Sequence, residues 1–105
     1  MYKVKILAEA ENDILRIATY ISNELYNPQA ANQIVKRLRE AASGLKEMPK
    51  RHPVYEPYVP LKQTFRKAVV GNYIMFYFID EKKQIVYVAF VMHQKQDVDT
   101  ILATF

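Results

Sequence analysis

Apolar and polar residues alternate from Tyr2 to Leu7, with Tyr2, Val4 and Ile6 on one face and Lys3 and Lys5 on the other. This period of two marks a short strand, and its lysines suit a sheet edge. The period then lengthens: Ile14, Ile17, Ala18, Ile21 and Leu25 recur on one stripe of a helix, with Glu9, Glu11 and Asp13 near its start, where carboxylates complement the helix dipole. Asn27-Pro28 opens a second helix, the Asn as cap and the Pro at the first helical position. Its stripe is Ala31, Ile34, Val35, Leu38, Ala42, Leu45 and Met48, and Pro49 ends it. Gly44, near that end, costs about 1 kcal/mol relative to Ala. The tight link between the two predicts an αα-hairpin.

Pro49 to Lys62 carries four prolines together with Lys50, Arg51, His52, Tyr55 and Tyr58, a stiffened loop that is both basic and aromatic. A strand over Phe65 to Val70, a two-residue turn at Gly71-Asn72 and a returning strand over Tyr73 to Ile79 read as a hairpin. Asp80 to Lys83 turns the chain into a third strand, Ile85 to Met92. Val98, Ile101, Leu102 and Phe105 then recur on one side of a short closing helix.

Two of these strands, YIMFYFI and IVYVAFVM, have no polar residue on either face. A strand half-buried against helices should alternate, so both ask for cover on two sides. The element order predicts an α+β fold: an N-terminal strand, an αα-hairpin, a three-stranded antiparallel meander and a short C-terminal helix, the helices packed on one face of an antiparallel sheet. Two helices cover one face. The other face, bearing Ile74, Phe76 and Phe78 or the alternate set Tyr73, Met75 and Tyr77, is expected to lack an intramolecular lid and to serve as a partner site. The competing reading is a strongly twisted sheet that wraps the helices and hides these residues.

At 105 residues the chain is expected to form one domain, 1–105, with a modest core. It has no cysteine, which excludes disulfides and thiolate zinc sites and suits a reducing cytosol. No signal peptide is visible, and neither apolar run approaches the roughly 20 residues of a membrane-spanning helix. The net charge is +4 but uneven. Lys46 to Lys67 holds six Lys or Arg against Glu47 and Glu56, whereas Ala8 to Leu25 holds Arg16 against Glu9, Glu11, Asp13 and Glu24. The basic middle fits either an anionic partner or a solvated loop.

Several chemistries lack their residues. Glycine occurs only at 44 and 71, so no phosphate-cradling loop exists, and serine occurs only at 22 and 43, both in predicted helices. His52 and His93 lie on separate elements without carboxylates at ligand spacing, so neither a metal site nor a cofactor is expected. The remaining candidates are Arg66 and Lys67 on the first meander strand and His93 and Lys95 beyond the last. First and third strands of a meander run the same way, which places Arg66 and Lys67 near the opposite end from His93.

With its front ILAEAENDILRIATYISNEL, its hairpin GNYIMFYFIDE and its closing VMHQKQD, the chain resembles the RelE/ParE superfamily of bacterial type II toxins over nearly its whole length, and more closely the ParE branch. The resemblance implies a cytoplasmic, growth-inhibiting toxin of a plasmid-stabilisation type. A cognate antitoxin neutralises it, docking an extended, helix-bearing tail in its apolar grooves and so covering Tyr73, Ile74, Phe76 and Phe78. A ParE-like member poisons DNA gyrase by protein–protein contact. A RelE-like member cleaves messenger RNA on the ribosome, and that alternative assigns catalysis to Arg66, Lys67, His93 and Lys95. Lys67 matches a strand lysine of the RelE branch, and Lys95 falls where that branch keeps an arginine. Ile74 stands where RelE has a phosphate-binding arginine, a loss of several kcal/mol of transition-state stabilisation, and this favours the gyrase reading. A third possibility is a nucleic-acid-binding module using Lys50, Arg51, His52, Tyr55 and Tyr58.

Overall fold

A computed structural model describes residues 1–105. The first strand, β1 (Lys3–Ile6), passes directly into α1 (Ala8–Thr19), which continues through one π-helical turn, Tyr20–Glu24. Tyr26 then takes a left-handed conformation, φ 52°, and reverses the chain. Asn27 caps α2 (Pro28–Gly44), its side chain accepting the Ala30 N–H at 3.0 Å. The predicted cap and the Pro at the first helical position are therefore both in use. A 3₁₀ turn, Pro49–Arg51, follows, then a long loop, β2 (Arg66–Val70), β3 (Tyr73–Asp80), β4 (Ile85–His93) and α3 (Val98–Leu102). The β2–β3 turn has positive φ only at Gly71, 59°, as a type II′ hairpin requires of its first central residue.

The sheet order is β1-β4-β3-β2, so the two wholly apolar segments are its two central strands. β2, β3 and β4 form the expected antiparallel meander. The expectation of an antiparallel sheet throughout is corrected at β1, which is an edge strand but pairs parallel to β4. The αα-hairpin makes this geometry, because it returns the chain far enough for β1 and β4 to run the same way.

On one face, α1 lies over β4 and against α2. Leu38, Met75, Tyr77, Val86 and Val88, all without accessible surface, meet there with Ala10, Ile14 and Leu45 in the main core. The other face is not bare, and this overturns the second sequence expectation. Phe65, Phe76, Ala89, Phe90, Met92 and Leu102 form a separate buried cluster, with Tyr55, Leu61, Val98 and Ile101 packed on it. Its lid is the proline-rich loop and α3 together. The loop is closed at its base by Tyr55 N–H on Phe65 O at 2.8 Å and Lys67 N–H on Pro53 O at 3.0 Å. Phe105 adds edge-on contacts with Phe65 and Phe78, centroids 5.7 and 5.2 Å apart.

Candidate functional site

The cationic candidates do not converge. Arg66 stands opposite Tyr77, and His93 stands opposite Tyr73, whose β2 partner is Val70. Lys67 is thus three rows from His93 and two strands away, about 14 Å between backbones at ordinary strand spacings. The two side chains also leave opposite faces. Lys67 lies on the loop side, its Nζ 5.8 Å from the Tyr55 ring centroid. His93 pairs with Tyr73 on the helix side, the rings edge-on at 5.5 Å. Arg66 is committed elsewhere: its Nη1 donates to Lys50 O at 3.1 Å and His52 O at 2.7 Å, stapling the 3₁₀ turn to β2. Lys95 follows β4 in a turn where its N–H donates to His93 Nδ1 at 3.2 Å, which leaves the proton of the neutral ring on Nε2.

The four apolar candidates do not form one surface either. Tyr73 lies on the helix face, half-buried, while Ile74, Phe76 and Phe78 lie on the loop face. Phe76 has no accessible surface, its ring edge-on to Tyr55 at 5.4 Å. Tyr55 is itself occupied: its hydroxyl donates to Asp99 Oδ1 at 2.5 Å, which pushes its pKa up to about 12, with burial adding to the rise. Of the loop aromatics only Tyr58, 97% exposed, is free to meet a partner.

What the fold does assemble is a groove of about 720 Å³ between α1, α3 and the end of β4. Ile17, Tyr20, Tyr73, Val91 and Ile101 supply apolar surface, and Glu9, Asp13, Arg16, His93 and Gln96 supply the polar rim. Asp13 is the one charged side chain that the fold buries. Its Oδ2 accepts the Val91 N–H at 2.9 Å, and its Oδ1 pairs with the Arg16 guanidinium, which also lies 3.8 Å from Glu9. Burial raises the Asp13 pKa, against the opposing pull of Val91 N–H and Arg16. Sequence reasoning assigned Asp13 to the helix dipole and missed this role. The signal was present: Ala10, Asp13, Ile14 and Ile17 fall on the same stripe, and an acid on an apolar stripe needs a buried partner. No group of three or more His, Asp or Glu is placed to hold a metal ion.

Residues 4–98 match the family described as the ParE toxin of type II toxin–antitoxin systems, parDE. No curated protein matches the chain. Among solved structures, the chromosomal ParDE system of P. aeruginosa superposes with TM-score 0.71 at 15% identity, over 89% of this chain and 96% of that one. The RelBE2 toxin–antitoxin complex of Mycobacterium tuberculosis gives 0.64 at 21%, covering 89% and 98%. The archaeal RelE–RelB complex of Pyrococcus horikoshii gives 0.60 at 16%, covering 90% and 97%. At such identities the structural likeness speaks for the fold alone.

Proposed function

This chain belongs to the ParE toxin family of type II toxin–antitoxin systems, and from that premise we propose that it arrests growth by poisoning DNA gyrase through protein–protein contact until a cognate antitoxin neutralises it. The whole chain acts as one toxin domain in the cytoplasm. The observation that carries the choice of target is the dispersal of the cations. RNA cleavage needs donors and an acid or base aimed at one phosphate. Lys67 and His93 leave opposite faces of the sheet, Arg66 is spent on two loop carbonyls, and position 74 is an isoleucine.

The antitoxin meets the groove beside Tyr73, with Ile74 and Phe78 available only where the lid loop and α3 leave them half-exposed. Phe76 contributes nothing to that contact while the lid is closed. Support for such a partner comes from the family and from the M. tuberculosis structure of similar fold, which is a toxin–antitoxin complex. The test sets the purified chain against gyrase and against translating ribosomes. Inhibited supercoiling or trapped cleaved DNA, with messenger RNA intact, is the expected result. Codon-phased cuts on the ribosome with gyrase unaffected assign the chain to the ribosome-dependent endonucleases instead.

A further inference from the structure

The end of the sheet at which β1 and β4 begin gathers charge. Lys3 and Lys5 lie on the edge strand β1, and Lys3 N–H meets Gln84 O at 3.0 Å, which brings Lys82 and Lys83 of the β3–β4 turn to the same end. Tyr2 N–H donates to Lys46 O at 3.1 Å, and Lys50 pairs with Glu81 at 3.2 Å, so the chain leaving α2 joins them. The acids beside these lysines are Glu47, Asp80 and Glu81. Glu81 is shared between Lys50 and the Tyr2 hydroxyl, and Asp80 accepts the Lys83 N–H at 3.1 Å. Lys3, Lys5, Lys46, Lys82 and Lys83 are exposed and form no ion pair. The groove with Glu9 and Asp13 lies at the other end of β4, so the excess positive charge sits at one pole of the molecule.

The residue types at this pole discriminate among anionic partners. A protein interface is built around an apolar centre in which lysine is depleted. This pole offers five free lysines and, as exposed large apolar side chains, only Met1 and Met48. Unpaired bases need a ring to stack on, and the nearby rings are committed. Tyr2 packs on the main core, and His52 stands edge-on to Tyr77 at 6.2 Å. Tyr87, the β4 partner of Lys5, stacks on Phe78 at 5.2 Å. Lysines without apolar or stacking neighbours suit a row of backbone phosphates. We propose that this pole is a sequence-independent binding surface for duplex DNA, through which the chain grips the nucleic acid its target works on. The choice of DNA over an RNA duplex rests on the gyrase reading above. The one-sided charge steers the chain onto DNA by this pole and leaves the groove at the far end open.

Anisotropy of a labelled DNA duplex of arbitrary sequence, titrated with the full chain at several salt concentrations, tests the surface. The logarithm of the binding constant should fall linearly with the logarithm of salt concentration. Lys3→Ala/Lys5→Ala and Lys82→Ala/Lys83→Ala should each reduce the magnitude of that slope by about 2. Lys36→Ala/Arg37→Ala removes the same charge from α2, away from the pole, and should leave the slope nearly unchanged. Melting curves confirm that each variant is folded, and two independent pairs keep the test intact if one is not. No duplex binding, or equal losses in all three variants, overturns the proposal. Tighter binding to a single strand, to an RNA duplex or to polyglutamate also overturns it, and assigns the lysines to that partner. A chain that poisons gyrase yet binds no duplex overturns this surface alone. One that binds duplex DNA through these lysines while gyrase is unaffected upholds the surface and overturns the gyrase reading.

Discussion

The Tyr55 hydroxyl donates to Asp99 across 44 positions of sequence, at 2.5 Å, and the other oxygen of the same carboxylate accepts the Tyr58 N–H at 2.6 Å. One side chain of α3 thus ties down two points of the proline-rich loop. The loop and the helix have little regular structure of their own, yet together they roof the second face of the sheet. Asp97 caps α3 by accepting the Thr100 N–H at 3.4 Å, its other oxygen accepting from Thr100 Oγ1 at 2.7 Å, so the short helix that presents Asp99 is itself held at its start.

Tyr55→Phe keeps the ring against Phe76 and removes only the hydrogen bond. Loss of about 1–3 kcal/mol of unfolding free energy is expected for a bond to a charged acceptor, with faster amide exchange confined to residues 54–62 and 98–102. The alkaline limb of stability supplies the sign. A tyrosine whose folded pKa exceeds its unfolded value stabilises fully below the ordinary value of 10 and loses that contribution as pH rises through about 12. Denaturation curves between those limits should fall more steeply for the parent chain than for Tyr55→Phe.

Asp13 titrates in the opposite region. Its folded pKa is raised above the ordinary 3.8 by burial, so within the window just above that value the folded state holds more protons than the unfolded. Stability is therefore highest at the acid side of the window and declines as pH rises through it. Asp13→Asn keeps an acceptor for Val91 N–H and should flatten this slope. Asp13→Ala leaves that N–H without a partner and is expected to cost about 1–3 kcal/mol at every pH. Urea titrations across the window distinguish the three proteins.

Local periodicity made the order of elements readable, because each stripe or alternation spans several consecutive residues. It also showed that Tyr73–Ile79 and Ile85–Met92 need cover on both faces. What it could not show is who provides the cover. Tyr55, Leu61 and Phe65 sit in an irregular loop whose only pattern is its prolines, and they are covered through contacts with residues far along the chain, Val98, Ile101, Leu102 and Phe105, with Asp99 holding Tyr55. The parallel pairing of β1 to β4 is likewise long-range, set by where the αα-hairpin returns the chain. The candidate site divides the same way. The separation of Arg66 and Lys67 from His93 follows from strand order alone, whereas the groove depends on α1 and α3, far apart in sequence, meeting beside the end of β4.

Phe76 and Tyr73 neighbour the same strands but face opposite layers, and their truncations should differ accordingly. Phe76→Ala opens a cavity in a site with no accessible surface, and about 3–5 kcal/mol of stability should be lost. Tyr73→Ala acts on a half-buried groove residue, so it should cost the fold less and antitoxin affinity more. Chemical denaturation paired with calorimetric titration of the antitoxin reads both quantities. An affinity loss at Phe76→Ala larger than at Tyr73→Ala, in a protein that remains folded, shows that the lid opens for the partner.

His93 separates the two toxin mechanisms most sharply. In a nuclease it acts as general acid or base, a role that contributes about 10²- to 10⁴-fold, and His93→Gln then abolishes growth arrest while antitoxin binding persists. In the gyrase-directed reading its groups are structural: the ring packs edge-on to Tyr73 and Nδ1 receives the Lys95 N–H. Gln at 93 leaves the backbone of β4 intact and should weaken toxicity only slightly. Charge reversal at Lys95, which changes the surface a protein target meets, should weaken it more. Deleting Val98 to Phe105 is not a clean comparison, because it removes Leu102 from the core and Asp99 from the lid. Growth curves of cells expressing each point variant, with antitoxin binding as the measure of folding, decide the matter. A His93→Gln chain that binds antitoxin yet no longer arrests growth transfers the chain to the nuclease mechanism.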